Sequence, residues 1–345
     1  MKKLLALVLA AMMLLSLVAC GNGSSSSPSP SENSPSADAS SDVNDGKVLK
    51  VGVCARAFSS PWQSYCYEVM EKIAADHPEI ELDIQDGNED ANTQVNILQT
   101  FIEQKKDLVV VFANQEGTLI EACNQVAKAG ITVINTQGYV GDCADLLTFI
   151  GADDWWNGYY QGQVLQELLE KDGKTEGNII LIQALLGTAY TVDRTKGLED
   201  YIAENLPGVK IVAYEPGDND NAKTVTAMQN LLTRFPVGTI DAVVVQGPHD
   251  CVAAANAAKD AGRDELFGKF VAMDYATTVE NAIKDGSVYG TVDQNPGMFG
   301  EKTMELIIAY ANGEMTLDDF EDQYMLDFPI VTQKNIDEYG SAPWD

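Results

Sequence analysis

The alternation of strand-like and helix-like segments from residue 49 onward limits the folds open to this chain more than any other feature. Leu108 to Phe112 is a continuous apolar run of strand length, which is typical of a parallel strand buried on both faces. The neighbouring segments, 95–102 and 118–129, carry apolar residues at the three- and four-residue spacing of a helix face. Repeated β-α-β units with buried strands predict a doubly wound parallel sheet with right-handed crossovers.

A second series of the same kind follows a short predicted strand at 148–151. From Lys47 to Asp345 the chain has about 300 residues, which is enough for two domains. We therefore predict an α/β protein with two doubly wound parallel-sheet lobes and a ligand crevice between them. The predicted strands of the second series are 178–184, 209–214, 242–245 and 270–273, and its helices are 192–205, 221–234, 249–261 and 277–284.

The first predicted unit supplies two aromatic candidates for ligand contact. A strand begins at Leu49, a loop covers residues 55–61, and a helix begins at Trp62. Loops at the carboxyl ends of strands line the crevice of an open α/β sheet, so Phe58 and Trp62 are expected to contact ligand. The alternative is that Phe58 covers the core and Trp62 packs on the sheet.

The first twenty residues have the pattern of a secretory signal. Lys2 and Lys3 precede an apolar run from Leu4 to Leu15, which is shorter than the roughly 20 residues of a membrane span. The sequence from Leu17 to Cys20 resembles the bacterial lipobox, in which the cysteine is lipidated. We predict a lipoprotein signal over residues 1–20 with Cys20 as the lipidated residue; the alternative is an ordinary signal peptide with an incidental cysteine.

Residues 21–46 are rich in Ser, Pro, Asn and Asp, a composition that cannot bury enough apolar surface to fold. We predict a disordered tether there. The formal net charge of the whole chain is −30, so no binding to nucleic acid or anionic lipid through the folded body is expected, because both are bound by Lys and Arg.

The cysteines beyond Cys20 form no Cys-x-x-Cys or Cys/His ligand pattern. We therefore predict neither a metal site nor a cofactor nor a full disulfide framework. Buried free thiols are favoured, while one bridge stays open among Cys54, Cys66, Cys123, Cys143 and Cys251.

Five motifs, in chain order, resemble the type I periplasmic sugar-binding proteins, such as the ribose-binding proteins and their relatives. The motifs are Asn92-Thr93-Gln94, 102–107, 193–197, 228–232 and 293–296. The resemblance implies a three-strand hinge between the lobes, with crossings near Asp153, near Gln294 and between Tyr324 and Phe328. It implies a first lobe of 47–153 plus 295–325 and a second lobe of 154–294 plus 326–345.

The same resemblance implies that Arg194, Asp274 and Gln294 bind ligand. Arginine and carboxylate groups strengthen hydrogen bonds to sugar hydroxyls, and glutamine both donates and accepts. The alternatives are a helix-surface role for Arg194 and an N-cap role for Asp274 ahead of helix 277–284.

The chain departs from the family pattern at two strand ends. Asn135 stands where ribose binders usually carry an aspartate, and we expect it to contact ligand. Gly247 and Pro248 replace an asparagine-aspartate pair, so either His249 or Asp250 substitutes or a larger ligand fills the space. Trp155 and Trp156 are adjacent and cannot share a helix face, so at most one is expected to meet ligand. The weaker candidates are Tyr139, Asp153, Trp155, Trp156, Tyr190 and His249.

The sequence gives little support for an enzyme, because it contains no Gly-x-Ser-x-Gly, Walker or His-Glu-x-x-His motif. A glycosidase would need two carboxylates about 5 to 10 Å apart, and Asp274 with Asp153 or Asp154 are the available pairs. We expect Arg194 to keep Asp274 ionised, which opposes a role as general acid. Transcriptional regulators of the lac-repressor type share this fold but need a helix-turn-helix ahead of it. In this chain the predicted signal and tether occupy that position.

We therefore predict a monomeric solute-binding protein that is lipid-anchored to the outer face of the cell membrane. It would capture a sugar or polyol between its lobes and deliver it to the permease of an ABC importer. A sensory receptor that reports to a membrane histidine kinase is the open alternative, and a carbohydrate-active enzyme is the remote one.

Overall fold

The computed structural model of the protein describes residues 47–141, 143 and 146–345. The predicted signal segment, Cys20 and the whole of the predicted tether lie outside the described residues. The strands are β1 (Leu49–Ala55), β2 (Ile80–Asp86), β3 (Leu108–Val111), β4 (Thr132–Thr136), β5 (Leu146–Ala152), β6 (Glu176–Gln183), β7 (Gly208–Pro216), β8 (Ala242–Val245), β9 (Phe270–Met273), β10 (Gly290–Val292), β11 (Gln323–Leu326) and β12 (Ile330–Thr332).

Helices alternate with these strands along the described chain. They are α1 (Pro61–Ala75), α2 (Ala91–Glu103), α3 (Ile120–Lys128), α4 (Asp154–Lys171), α5 (Ala189–Asn205), α6 (Asn221–Arg234), α7 (Pro248–Asp260), α8 (Thr277–Lys284) and α9 (Pro296–Ala311). Among the residues described, no helix combines the length and the apolar character needed to cross a bilayer.

The strands form two six-stranded sheets, which confirms the predicted α/β class with two lobes. The first sheet has the order β11-β5-β4-β3-β1-β2 and the second β12-β10-β9-β8-β6-β7. Neighbouring strands are parallel except β10 and β12, which pair antiparallel. In each sheet the chain reverses direction beside its first strand, so the loops at that point diverge and leave a crevice.

The chain passes from one sheet to the other three times: between β5 and α4, between β10 and α9, and between β11 and β12. Helix α9 returns to pack against α1. We propose lobe boundaries at 47–153 plus 295–325 and 154–294 plus 326–345, and the membership of the strands in the two sheets supports them.

The apolar runs of the central strands are buried on both faces, as their sequence predicts. In β3, Leu108 and Val110 belong to one core cluster, whereas Val109 and Val111 belong to another on the opposite face. Strand β8 divides its residues in the same way. Several of the helices that follow strand ends are capped at their N-terminus by the side chain of an aspartate or asparagine. Asp90, for example, accepts a hydrogen bond from Thr93 N at 2.8 Å.

The five cysteines of the described chain are free thiols. Four are buried and Cys143 is partly exposed. Burial raises the pKa of the thiols of Cys54, Cys66 and Cys251 far above the ordinary value, which keeps them protonated and unreactive.

Candidate functional site

A cavity of about 550 Å³ lies at the carboxyl ends of strands from both sheets. The first sheet contributes loops after β1, β2 and β4, and the second contributes loops after β7, β8 and β9. The crossing between β10 and α9 contributes Gln294. The polar side chains of the lining are Arg56, Ser60, Gln63, Glu89, Gln137, Asp154, Tyr190, Arg194, Asn219, Asn221, Gln246, His249, Asp250, Asp274 and Gln294.

Arg194 connects three elements around this cavity. Its Nε donates to Asp154 Oδ1 at 2.8 Å, and its Nη2 donates to Gln294 Oε1 at 2.8 Å. The guanidinium also lies over the ring of Tyr190, 5.2 Å from the ring centroid. Burial lowers the pKa of Arg194, but the charges of Asp154 and Asp274 outweigh burial and raise it, so the group is a fixed cation. These bonds hold one guanidinium at the junction of the second lobe and the second crossing.

Asp274 follows β9 directly, and its carboxylate is enclosed beside Arg194. Burial raises its pKa to about 7, and the nearby charges of Asp293 and Asp154 act in the same direction, while Arg194 opposes them. The expectation that Arg194 keeps Asp274 firmly ionised is therefore wrong, because the loss of hydration outweighs the attraction of the guanidinium. Its Oδ1 atom has no hydrogen-bond partner in the described part of the chain.

Three further lining side chains have buried polar atoms without a hydrogen-bond partner among the described residues: Arg56 at Nε, Gln137 at Nε2 and Trp344 at Nε1. Buried polar groups are nearly always hydrogen-bonded in folded proteins. Leaving one unsatisfied costs about 1–3 kcal/mol. Together with Asp274, these lining residues carry three donor groups and one acceptor that have no partner in the described chain.

The backbone is strained around the cavity. Glu89, Gln137, Asn219 and Asp274 all line it and have φ values of 55°, 62°, 53° and 67°. Residues with side chains adopt this left-handed region at a cost, and such strain persists mainly where the surrounding structure requires one orientation. The strain therefore indicates that each of these four strand-end loops requires one particular side-chain orientation.

Six of the residues predicted from the sequence line the cavity: Trp62, Tyr190, Arg194, His249, Asp274 and Gln294. Trp62 is fixed by a hydrogen bond from its Nε1 to Gln294 O at 3.1 Å and by an edge contact with the ring of Phe299. Tyr190 accepts a hydrogen bond from Asn219 Nδ2 at 3.1 Å, and Nδ1 of His249 lies 3.2 Å from Thr278 Oγ1.

The other predicted residues lie outside the lining, and their contacts explain why. The ring of Phe58 is 44% exposed and packs against Tyr67. Tyr139 packs edge-on against Phe149. Asn135 is fully buried; its amide donates to Val111 O and Gly138 O and accepts from Val140 N, so it holds the loop that carries Gln137.

Asp153 and the two tryptophans after it belong to the start of α4. Asp153 caps this helix by accepting from Trp155 N at 2.9 Å. Trp155 stacks on Tyr159 and donates from its indole to Asp200 at 2.9 Å. Trp156 is 45% exposed and packs against the rings of Trp155, Tyr159 and Tyr160. Neither tryptophan lines the cavity.

The structure adds lining residues that were not among the predicted contacts. Arg56 stands in the same loop as the predicted contact Phe58, and Gln137 and Gln246 directly follow strands. The position at a strand end is the sequence signal for these residues. Asn219 lies in the turn-rich stretch 217–221, which also follows a strand. Trp344 has no such signal, because it lies far from any strand end.

The lining suits a neutral molecule with many hydroxyl groups. Amide, guanidinium and carboxylate groups surround the cavity and offer both donors and acceptors, as hydroxyls require. Trp62 and Trp344 add flat apolar surface, which matches the C–H faces of a sugar ring. In the chain as described, no group of three or more His, Cys, Asp or Glu side chains is arranged to hold a metal ion.

Residues 51–315 match the family described as "Periplasmic binding protein domain". A xylitol-binding protein of Mycolicibacterium smegmatis is 27% identical over 258 residues, which is 75% of this chain and 70% of the relative. A ribose import binding protein of Salmonella typhimurium is 25% identical over 249 residues, 72% of this chain and 78% of the relative.

Solved structures share the fold. The periplasmic binding protein component of an arabinose ABC transporter from Shewanella sp. ANA-3, solved with L-arabinofuranose, superposes with a TM-score of 0.71 at 25% identity. The similarity covers 84% of this chain and 94% of that chain. These relatives are binding proteins and not enzymes.

Proposed function

Because the chain belongs to the periplasmic binding protein family, we propose that it is a binding protein that works outside the cytoplasm, captures a sugar or polyol between its two lobes, and delivers it to the permease of an ABC importer. The relatives named for xylitol and ribose support a polyhydroxylated ligand. The sensory-receptor alternative gains no support from these relatives.

The observation that carries this proposal is the convergence of Arg194, Asp274 and Gln294 on one cavity with Trp62. Arg194 and Asp274 come from the second lobe, Trp62 comes from the first, and Gln294 lies on a crossing between them. A ligand that bonds to both sides binds the closed arrangement better than the open one, so it shifts the population toward closure. Closure would then create the surface that a permease recognises.

A thermal-shift screen tests the proposed ligand class. A ligand that binds only the folded state stabilises it by about 2.7 kcal/mol at a concentration of one hundred times Kd. For a protein of this size we expect an increase in Tm of roughly 5 °C. The screen should contain ribose, xylitol, D-allose, L-arabinose and myo-inositol, with amino acids and short peptides as controls.

A shift with at least one sugar or polyol and none with the controls is the expected result. If amino acids or peptides raise Tm while every sugar and polyol leaves it unchanged, the proposed ligand class is incorrect.

We also propose that Cys20 carries the lipid anchor, as the lipobox-like sequence from Leu17 to Cys20 supports. Cys20→Ser is expected to remove the acylated residue and to release the protein from the membrane fraction into the soluble fraction. Cell fractionation followed by immunoblotting measures this change, with Cys143→Ser as the matched cysteine control. Continued membrane association of the Cys20 variant after a high-salt wash would place the anchor elsewhere.

A further inference from the structure

The segment 340–345 packs across the start of α8. The backbone oxygen of Trp344 accepts a hydrogen bond from Thr277 N at 2.8 Å, and Asp345 Oδ1 accepts one from Thr278 N at 3.3 Å. The first amides of a helix have no partner within the helix, and the N-cap residue Ala276 makes no side-chain cap hydrogen bond. The segment therefore serves as the cap of α8, and this fixes the position of its backbone.

Two more hydrogen bonds hold the same segment upstream of Trp344. Tyr275 Oη donates to Gly340 O at 3.1 Å, and Ala342 N donates to Glu280 Oε2 at 2.7 Å. Tyr275 is almost completely buried in the core of the second lobe. The segment is thus anchored at both ends, so the side chain of Trp344 is held in one place relative to the cavity.

The indole of Trp344 lines the cavity and is only 7% exposed. It packs edge-to-face against His249, with ring centroids 6.2 Å apart, and His249 in turn contacts Thr278 Oγ1 at 3.2 Å. Its Nε1 has no hydrogen-bond partner among the residues that the structure describes. Buried indole N–H groups usually have a partner, so this donor is free for a ligand acceptor.

The loop after β8 contributes only backbone at one position of the cavity lining. Gly247, which lines the cavity there, has no side chain, and a Cβ atom at its position would lie 3.3 Å from Asp250 Oδ2. Pro248, His249 and Trp344 also line the cavity. The segment 340–345 thus supplies a flat ring with a donor to a cavity in which Gly247 supplies only backbone.

We propose that Trp344 is a specificity-determining residue whose Nε1 donates to a ligand hydroxyl and whose ring covers an apolar face of the ligand. This inference rests on the proposed function, because it requires a sugar or polyol in the cavity. It assigns to the segment 340–345 a direct part in ligand selection in addition to capping α8.

Trp344→Phe tests the inference, because phenylalanine keeps an aromatic ring and removes the donor. Isothermal titration calorimetry with ribose, xylitol, D-allose and myo-inositol should show an affinity about tenfold lower for the ligand that the unmodified protein binds best, as expected for one lost hydrogen bond. Trp344→Ala should weaken that ligand about a hundredfold, since the ring is lost as well. Trp156→Phe, at an exposed tryptophan outside the cavity, is the matched control and should leave affinity unchanged.

Trp344→Phe retains most of the packing, so its Tm should stay close to that of the unmodified protein. This variant therefore tests the role of Trp344 in binding even if Trp344→Ala fails to fold. If the unmodified protein binds a sugar and Trp344→Phe binds it within twofold, the role of Trp344 is disproved while the proposed function stands. If the unmodified protein binds none of the four compounds, the proposed function fails for them, and the inference fails with it.

Discussion

Arg194→Ala is expected to lower ligand affinity by about thirtyfold or more. The change removes the guanidinium that bonds Asp154 and Gln294 at 2.8 Å each, and it leaves the carboxylate and the amide without their partner. Truncating one member of a buried, hydrogen-bonded charge pair costs about 2–5 kcal/mol of binding free energy, or roughly 30- to 4,000-fold in Kd. Isothermal titration calorimetry with the best ligand from the thermal-shift screen measures the loss.

Two further variants test whether binding needs the planar guanidinium or only its positive charge, and whether the loss is specific to position 194. Arg194→Lys keeps the charge but loses the planar fork, so we expect an intermediate loss of affinity. Arg234→Ala removes an exposed arginine outside the cavity and should bind ligand normally. Circular dichroism should show that all three variants are folded. Unchanged affinity in folded Arg194→Ala would remove this residue from the site.

Asp274→Asn is expected to weaken binding about a hundredfold and, at pH 8, to make the ligand-free protein more stable. Binding weakens because the amide replaces a charged acceptor of ligand hydroxyls. Stability increases because the folded environment disfavours the ionised carboxylate, whose pKa it raises to about 7. Raising the pKa of a carboxyl group from near 4 to about 7 corresponds to about 4 kcal/mol at most, and water in the cavity reduces this, so we expect a gain of about 2 kcal/mol in urea titrations.

The direction of the pH dependence follows from the raised pKa of Asp274. The unfolded chain loses this proton near pH 4 and the folded chain near pH 7, so the contribution of Asp274 to stability is complete below pH 4 and is lost as the pH rises to 7. Ligand hydroxyls donate to the ionised carboxylate, so affinity should change in the opposite sense and fall as the pH drops below 7. The decrease is expected to approach tenfold per pH unit at most.

Calorimetry between pH 5 and pH 8.5 measures this profile. In Asp274→Asn the slope between pH 6 and pH 7 should vanish, whereas Asp250 and Asp293, whose pKa values burial raises to about 6, can leave a smaller slope below that range. Asp337→Asn, at an exposed position outside the cavity, should reproduce the original profile. An unaltered slope in Asp274→Asn would mean that another group controls the pH dependence of binding.

The central sheets could be predicted from the sequence because strands buried on both faces must be apolar throughout. The strands at Ala242–Val245 and Phe270–Met273 have the predicted bounds for this reason. The short strands Gly290–Val292 and Ile330–Thr332 were not predicted, because three residues carry too little periodicity. The antiparallel pairing of these two strands depends on the path of the chain between the lobes, which local patterns do not encode.

The site was only partly predictable from the sequence. Asp274 could be placed because it directly follows a buried strand, and Arg194 and Gln294 because motifs of the family carry them. Asn135 has a similar position at a strand end, yet its side-chain amide is fully hydrogen-bonded to three backbone groups. Those bonds depend on the conformation of the following loop, which the sequence pattern does not predict. Trp344 reaches the cavity through the packing of its segment on α8, and the sequence around it contains no signal for that contact.

A crystal structure of the protein with its tightest-binding sugar or polyol tests the central claim most directly. We predict that the ligand lies in the cavity within hydrogen-bonding distance of Arg194 and Asp274 on the second lobe and of Arg56 or Gln137 on the first. A ligand that occupies another site, or that contacts residues of one lobe only, would contradict the account.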